Sequence, residues 1–125
     1  MANTPSDKPV FIFDTHGDWH ATKIGNYLFS SRGEYIGFVE GEDVYKLDGE
    51  WLGRLSKDGR IVRKRTEKRR ELHPNPPAKP ARPEKLPARP PLPPMMAELT
   101  FSVVDVLDED PDIFKRISDL RPDMD

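Results

Sequence analysis

With 125 residues, 34% of them charged, and 14 prolines, the chain holds at most one ordinary domain with tails, and less of it can enter a core than its length implies. The lack of cysteine excludes a disulfide framework and a thiolate metal centre, and no run approaches the ~20 apolar residues of a membrane span. The net charge of −2 conceals three blocks, net −4 over residues 1–59, +8 over 60–94 and −6 over 95–125, which predicts segments with separate partners or tails that fold back on one another.

Residues 1–9 carry no apolar leader core and are expected to be a disordered N-terminus on a cytoplasmic protein. From there to residue 71 the chain repeats itself. Gly17, Gly33 and Gly49 stand 16 residues apart in the units FIFDTHGDWHATKIGN, YLFSSRGEYIGFVEGE and DVYKLDGEWLGRLSKD. An aromatic follows each glycine by two residues (Trp19, Tyr35, Trp51), another precedes it by four (Phe13, Phe29, Tyr45), and a small residue follows by four (Ala21, Gly37, Gly53). Each unit reads as a β-hairpin: strand-favouring residues flank a glycine turn, most plainly at Asp48-Gly49. Gly25-Asn26, Gly41-Glu42 and Lys57-Asp58-Gly59 mark the turns between units. A single hairpin of this size is marginal in water, so the units are expected to bury their aromatic faces against one another. A degraded fourth unit begins at Arg60, with Ile61 in the register of Phe13, Phe29 and Tyr45. This pattern predicts an all-β domain of about four hairpins around a pseudo-fourfold axis, with few exposed edges.

The stretch VYKLDGEWLGRLSKDGRIVRKR, preceded by YLFSSRGEYIGFVEGE, resembles the small bacterial domains called the 4-fold beta flower, over roughly residues 10–65. The resemblance implies the four-hairpin fold and implies no activity. In the fourth unit a basic run stands where an aromatic-rich strand is expected, so the partner of that strand stays open, and another subunit is one source for it. The oligomeric state is open with it.

Residues 72–94 form a proline tract, HPNPPAKPARPEKLPARPPLPP, read as a disordered, semi-rigid linker of polyproline II character. Its Pro90-x-x-Pro93 beside Arg89 has the form that aromatic grooves accept, although a tract this rich contains such spacing by composition alone. Residues 95–125 are acidic. LTFSVVDVL has strand character. Asp110-Pro111 then reads as the cap and first position of a short amphipathic helix over about 110–121, with Ile113, Phe114, Ile117 and Leu120 on one face. A helix so short needs a surface to fold on.

Three further constellations carry candidate chemistry. Asp14, His16 and His20, with Asp18 between them, are candidate metal ligands, and Asp-x-His-Gly after an apolar strand is the opening motif of metal-dependent phosphoesterases. The remaining motifs of such a hydrolase are missing, and the 16-residue period explains Gly17 without a metal. The rings of Trp19, Tyr35 and Trp51 read either as a stacking or cation-binding platform or, more simply, as the core of a small domain. The basic run 60–70, with Arg63, Lys64, Arg65, Lys68, Arg69 and Arg70, reads as a non-specific nucleic-acid contact or as charge that attracts the acidic tail. The reading taken is a non-enzymatic interaction module without a cofactor: a β-repeat head tethered to a C-terminal peptide that binds a protein partner through Ile113, Phe114, Ile117 and Leu120.

Overall fold

The computed structural model describes residues 8–68, 70–83 and 85–116. Among them the protein is all-β. Eight strands form one antiparallel sheet in strict chain order: β1 (Val10–Phe13), β2 (Trp19–Ile24), β3 (Tyr27–Phe29), β4 (Tyr35–Glu40), β5 (Asp43–Lys46), β6 (Trp51–Leu55), β7 (Ile61–Lys64) and β8 (Val103–Asp105). No helix of the described residues is long and apolar enough to cross a membrane.

The strand registers explain the small residues in the sequence. Ile12 lies opposite Ala21, Leu28 opposite Gly37 and Val44 opposite Gly53, so each fully buried aliphatic side chain faces a partner that yields space to the core. One residue later the register slips, between Ile12 and Phe13, Leu28 and Phe29, and Val44 and Tyr45. A bulge there lets two consecutive residues both be buried, as Ile12 with Phe13 and Leu28 with Phe29 are. The turns that follow share one hydrogen-bond pattern. Asp14 N–H donates to Asp18 O at 3.0 Å, Ser30 to Glu34 at 2.8 Å and Lys46 to Glu50 at 2.8 Å. Gly17 closes the first of them at φ +87°, a conformation that strains any L side chain.

Between β6 and β7 the short turn of the earlier units gives way to residues 56–60, where Ser56 N–H donates to Arg60 O at 2.7 Å. The added residues move the strand by one place. Ile61 is fully buried, like Ile12, Leu28 and Val44, and so stands one position away from the aromatic register expected for it.

The outer side of β7 is paired by the chain itself. β7 pairs with β8, Arg63 opposite Val104, and residues 65–102 run between them. Of the apolar run LTFSVVDVL only Val103–Asp105 is strand, because Asp105 then caps a helix, α1 (Val106–Glu109), by accepting Asp108 N–H at 3.3 Å. Of the helix expected over 110–121, the described residues 110–116 hold no α-helix, and residues 117–121 lie outside the described residues. Asp110 N–H donates back to Val106 O, so Asp110 ends α1 instead of opening a new helix. One 3-10 turn follows over Ile113–Lys115, and Arg116 is already extended at φ −100°, ψ 144°. The anchors Ile117 and Leu120 lie outside the described residues.

The sheet curls until its ends meet. Phe13 N–H donates to Gly59 O at 2.9 Å, and Thr15 gives both its N–H (2.6 Å) and its hydroxyl (2.5 Å) to the Asp105 carboxylate. Arg60, 1% exposed, joins the pieces: it holds Asp58 through Nε (3.1 Å) and Nη2 (2.6 Å), Thr15 Oγ1 (3.1 Å) and Ala97 O (2.7 Å). A buried guanidinium this fully partnered repays part of its desolvation and fixes geometry.

The inner core is aliphatic: Ile12, Ala21, Leu28, Val39, Val44, Leu52, Ile61, Val106 and Leu107. The expectation that Trp19, Tyr35 and Trp51 form that core therefore needs correction. Directly paired residues share a face, and Val39–Val44 and Phe38–Tyr45 are neighbouring pairs, so the rings of Phe38 and Tyr45 lie on the outer face. They stack there at 5.0 Å. Trp19 and Tyr35 are half-buried and only Trp51 is buried.

Candidate functional site

Two segments from the C-terminal half cover the sheet, one on each face. On the inner face α1 sends Val106 and Leu107 into the core, and the 3-10 turn brings Ile113 and Phe114 against it. Phe114 reaches the sheet because Gly37 has no side chain: a Cβ there would collide with Tyr45 O and stand 3.2 Å from the Phe114 ring. Lys46, 3% exposed and on the same face, donates its ammonium to Arg116 O and lies 3.0 Å from the Glu50 carboxylate. Of the four proposed anchors, the structure thus places Ile113 and Phe114 on the chain's own head, half-buried.

The segment runs between two clefts. One, of about 450 Å³, is lined by Trp19, His20, Arg32, Ile36, Pro111 and Phe114. The other, of about 290 Å³, is lined by Trp51, Leu52, Arg63, Glu67 and Ile113. At the first, Ser30 Oγ accepts the N–H groups of Arg32 and Glu34, a turn-organising role.

The metal candidates do not converge. Asp14 accepts the N–H groups of His16 (2.9 Å) and Asp18 (3.0 Å), and its other oxygen meets His20 Nε2 at 2.9 Å. His16 turns away to Asp108 at 2.9 Å, and no cluster of ligating side chains fit for a metal exists among the described residues. Burial pushes the Asp14 carboxyl up, but the His20 contact and the two N–H groups together hold it below the usual carboxylate range.

Three arginines of the basic run are paired with acids. Arg63 and Arg65 reach Glu109 at 3.4 and 3.9 Å, and Arg65 also lies over the Phe101 ring at 4.6 Å. Arg70 packs over Trp51 at 3.9 Å with Asp43 at 3.6 Å. Lys64 and Lys68 are exposed, and Arg69 lies outside the described residues. Glu67, within the run, forks Arg54 at 3.1 and 2.8 Å. The Arg54 hydrogen bonds and the Lys64 N–H lower its carboxyl to about 2.

On the outer face the proline tract has neither strand nor helix, as its composition demands, but it lies along the head rather than extending away from it as a linker. It passes the three turn glycines in reverse order. His73 N–H donates to Gly49 O at 2.9 Å, and the His73 ring meets Phe38 and Tyr45 edge-on at 5.3 and 5.1 Å. Arg82 crosses Gly33, and Pro93 sits where a Cβ on Gly17 would be 3.1 Å from its Cγ. Sequence reasoning missed these contacts. The signal available was the coincidence of three bare glycines with a tract in which Pro77, Pro80 and Pro83 stand three residues apart.

Compared with known proteins, the chain matches no protein-family model, no curated protein and no solved structure.

Proposed function

We propose that this chain is a non-enzymatic protein-interaction module: a four-hairpin head of the 4-fold beta flower type, with a C-terminal segment that captures a protein partner. The hairpin count is supported by the recurrence of one pairing, Phe13–Trp19, Phe29–Tyr35 and Tyr45–Trp51, and by β7–β8 as the fourth hairpin. The observation that carries the functional reading is Phe114. It is held on the head by one 3-10 turn and lines one cleft while Ile113 lines the other, the arrangement of a docked peptide rather than of an integral helix. Partner capture then works by exchange, the apolar anchors leaving the head for a groove on the partner.

The test is affinity purification from the native host with wild type and with Ile113→Asp/Phe114→Asp, whose fold is checked by circular dichroism. The variant is expected to lose one partner that the wild type enriches; identical partner sets would remove the reading. The acidic partners of Arg63, Arg65 and Arg70 weigh against nucleic-acid binding, and a low-salt gel shift tests that alternative directly. The scattered directions of Asp14, His16 and His20 weigh likewise against a metal-dependent hydrolase.

A further inference from the structure

We propose that the outer face of the sheet is a recognition seat for polyproline segments, and that it accepts a basic, proline-rich peptide of another protein when its own tract lifts away. This is independent of what the C-terminal segment captures on the opposite face.

The tract itself reports the chemistry of the seat. Pro77, Pro80, Pro83 and Leu86 are half-buried, while the described residues between them are exposed. That is a period of three, the repeat of a polyproline II helix resting one edge on a surface. The surface beneath has the parts such an edge needs. Phe29, Glu34 and Tyr35 line a hollow with Pro80, Lys79 and Arg82. Tyr35 keeps a buried hydroxyl with no hydrogen-bond partner in the structure, a polar group that a peptide carbonyl would satisfy. Glycine turns let the backbone pass closely at both ends. Lys79 and Arg82 on the occupant line the same hollow as Glu34, and Arg82 reaches Arg32 O at 3.5 Å; the head is net negative over residues 1–59, so the preferred ligand carries Lys or Arg at the same spacing as well as proline.

The seat can also be vacated. Among the described residues of 74–96 no backbone–backbone hydrogen bond ties the tract to the sheet. It is held by side-chain packing and by a 3.5 Å contact from Arg82 Nη2 to Arg32 O. Its two ends are fastened separately, at His73 on Gly49 and at Ala97 on Arg60, so the middle can lift while β8 stays paired. Such a segment belongs to the low-stability end of a fold's local openings. The tether gives the cis segment a local concentration in the millimolar range, so a free peptide competes poorly until the cis contacts are weakened.

The experiment is an NMR titration of the full chain with a synthetic peptide of residues 73–94. It compares wild type with the triple variant Pro77→Ser/Pro80→Ser/Pro83→Ser, which removes the cis edge and touches no strand. His73→Ala, which removes the ring packed on Phe38 and Tyr45 and so loosens one end of the tract while its backbone bond to Gly49 remains, serves as a second variant should the first be poorly folded. A peptide of the same composition with the prolines moved out of period is the control. The expected result is binding to the variant at least about tenfold tighter than to wild type, with shifts centred on Gly33, Tyr35 and Phe38, and no binding of the control peptide. Absence of binding to both variants up to millimolar peptide, or equal binding of the control, would overturn the proposal. A concentration-dependent dimer without uptake of free peptide would overturn it too, by assigning the seat to a second copy of the chain.

Discussion

Residues 10–64 and residues 65–116 have nearly the same length and are held by different forces. The first stretch is a ladder: seven consecutive strands whose partners are neighbours in sequence, fully buried aliphatic side chains, and turns that close on their own backbone. Among its described residues the second contributes one short strand, one helical turn and one 3-10 turn, and otherwise adheres mostly through side chains, among them Arg54–Glu67, Arg70 over Trp51, His73 on two rings, and Arg60 on Ala97. The comparison teaches that a regular half can depend on an irregular one. The seven-strand ladder leaves β7 without an outer partner and both faces of its sheet uncovered, and the irregular half supplies β8 and the two covers.

If that dependence is real, cutting the joint between the halves is the most damaging change. Arg60→Ala strands Asp58 and releases Thr15 and Ala97 together, and an expected loss of about 4 kcal/mol is readable by urea denaturation. A cavity in the ladder comes next: Leu28→Ala or Ile61→Ala should cost about 3 kcal/mol by the same measurement, and an effect under about 1 kcal/mol would mean that the inner core is not as closely packed as its burial indicates. On the inner cover, Phe114→Ala removes a half-buried ring and should cost about 1–2 kcal/mol, while also exposing tryptophan fluorescence to quencher in the cleft beside Trp19. Acid separates the halves more gently. Glu67, Asp58 and Asp14 all have carboxyls below their ordinary range in the folded protein. Their stabilisation is therefore complete above the unfolded value and lost as pH falls through it towards the folded one. For Glu67 that window runs from 4.5 down to about 2. Denaturation midpoints should fall steadily across it, and Glu67→Gln should flatten the profile. The smallest effect is expected on the outer cover, where Pro80→Ser should change stability by no more than about 0.5 kcal/mol; a loss several times larger would show that the tract is as integral as the strands.

Much of the ladder was legible in the sequence because local signals determine it. Glycines at a fixed interval, strand-favouring residues on both sides of each and Gly25-Asn26 as a tight turn all act over a few residues. The small residues Ala21, Gly37 and Gly53 were visible as a pattern, and their purpose appeared only with the register that sets them opposite Ile12, Leu28 and Val44. The shift of Ile61 was hidden, since Lys57-Asp58-Gly59 looks like any other turn and only its added length moves the strand. The candidate site was less legible still. Ile113 and Phe114 were identified as an apolar stripe in need of a surface, but that surface lies more than 60 positions away in the chain, beside Gly37, and no short-range rule joins the two. The contacts of the proline tract were lost for the opposite reason: its composition says so clearly what it cannot form that it says little about what it can touch.

The pairing of β7 with β8 across residues 65–102 has a consequence for the order of events at the ribosome. Translation releases Ile61–Lys64 well before Val103–Asp105, so the growing chain displays an open sheet margin for the whole of that interval. Arg63 and Lys64 place charge on that margin, a feature that discourages edge-to-edge pairing, and the sheet reaches its eight strands only once residue 105 has been made.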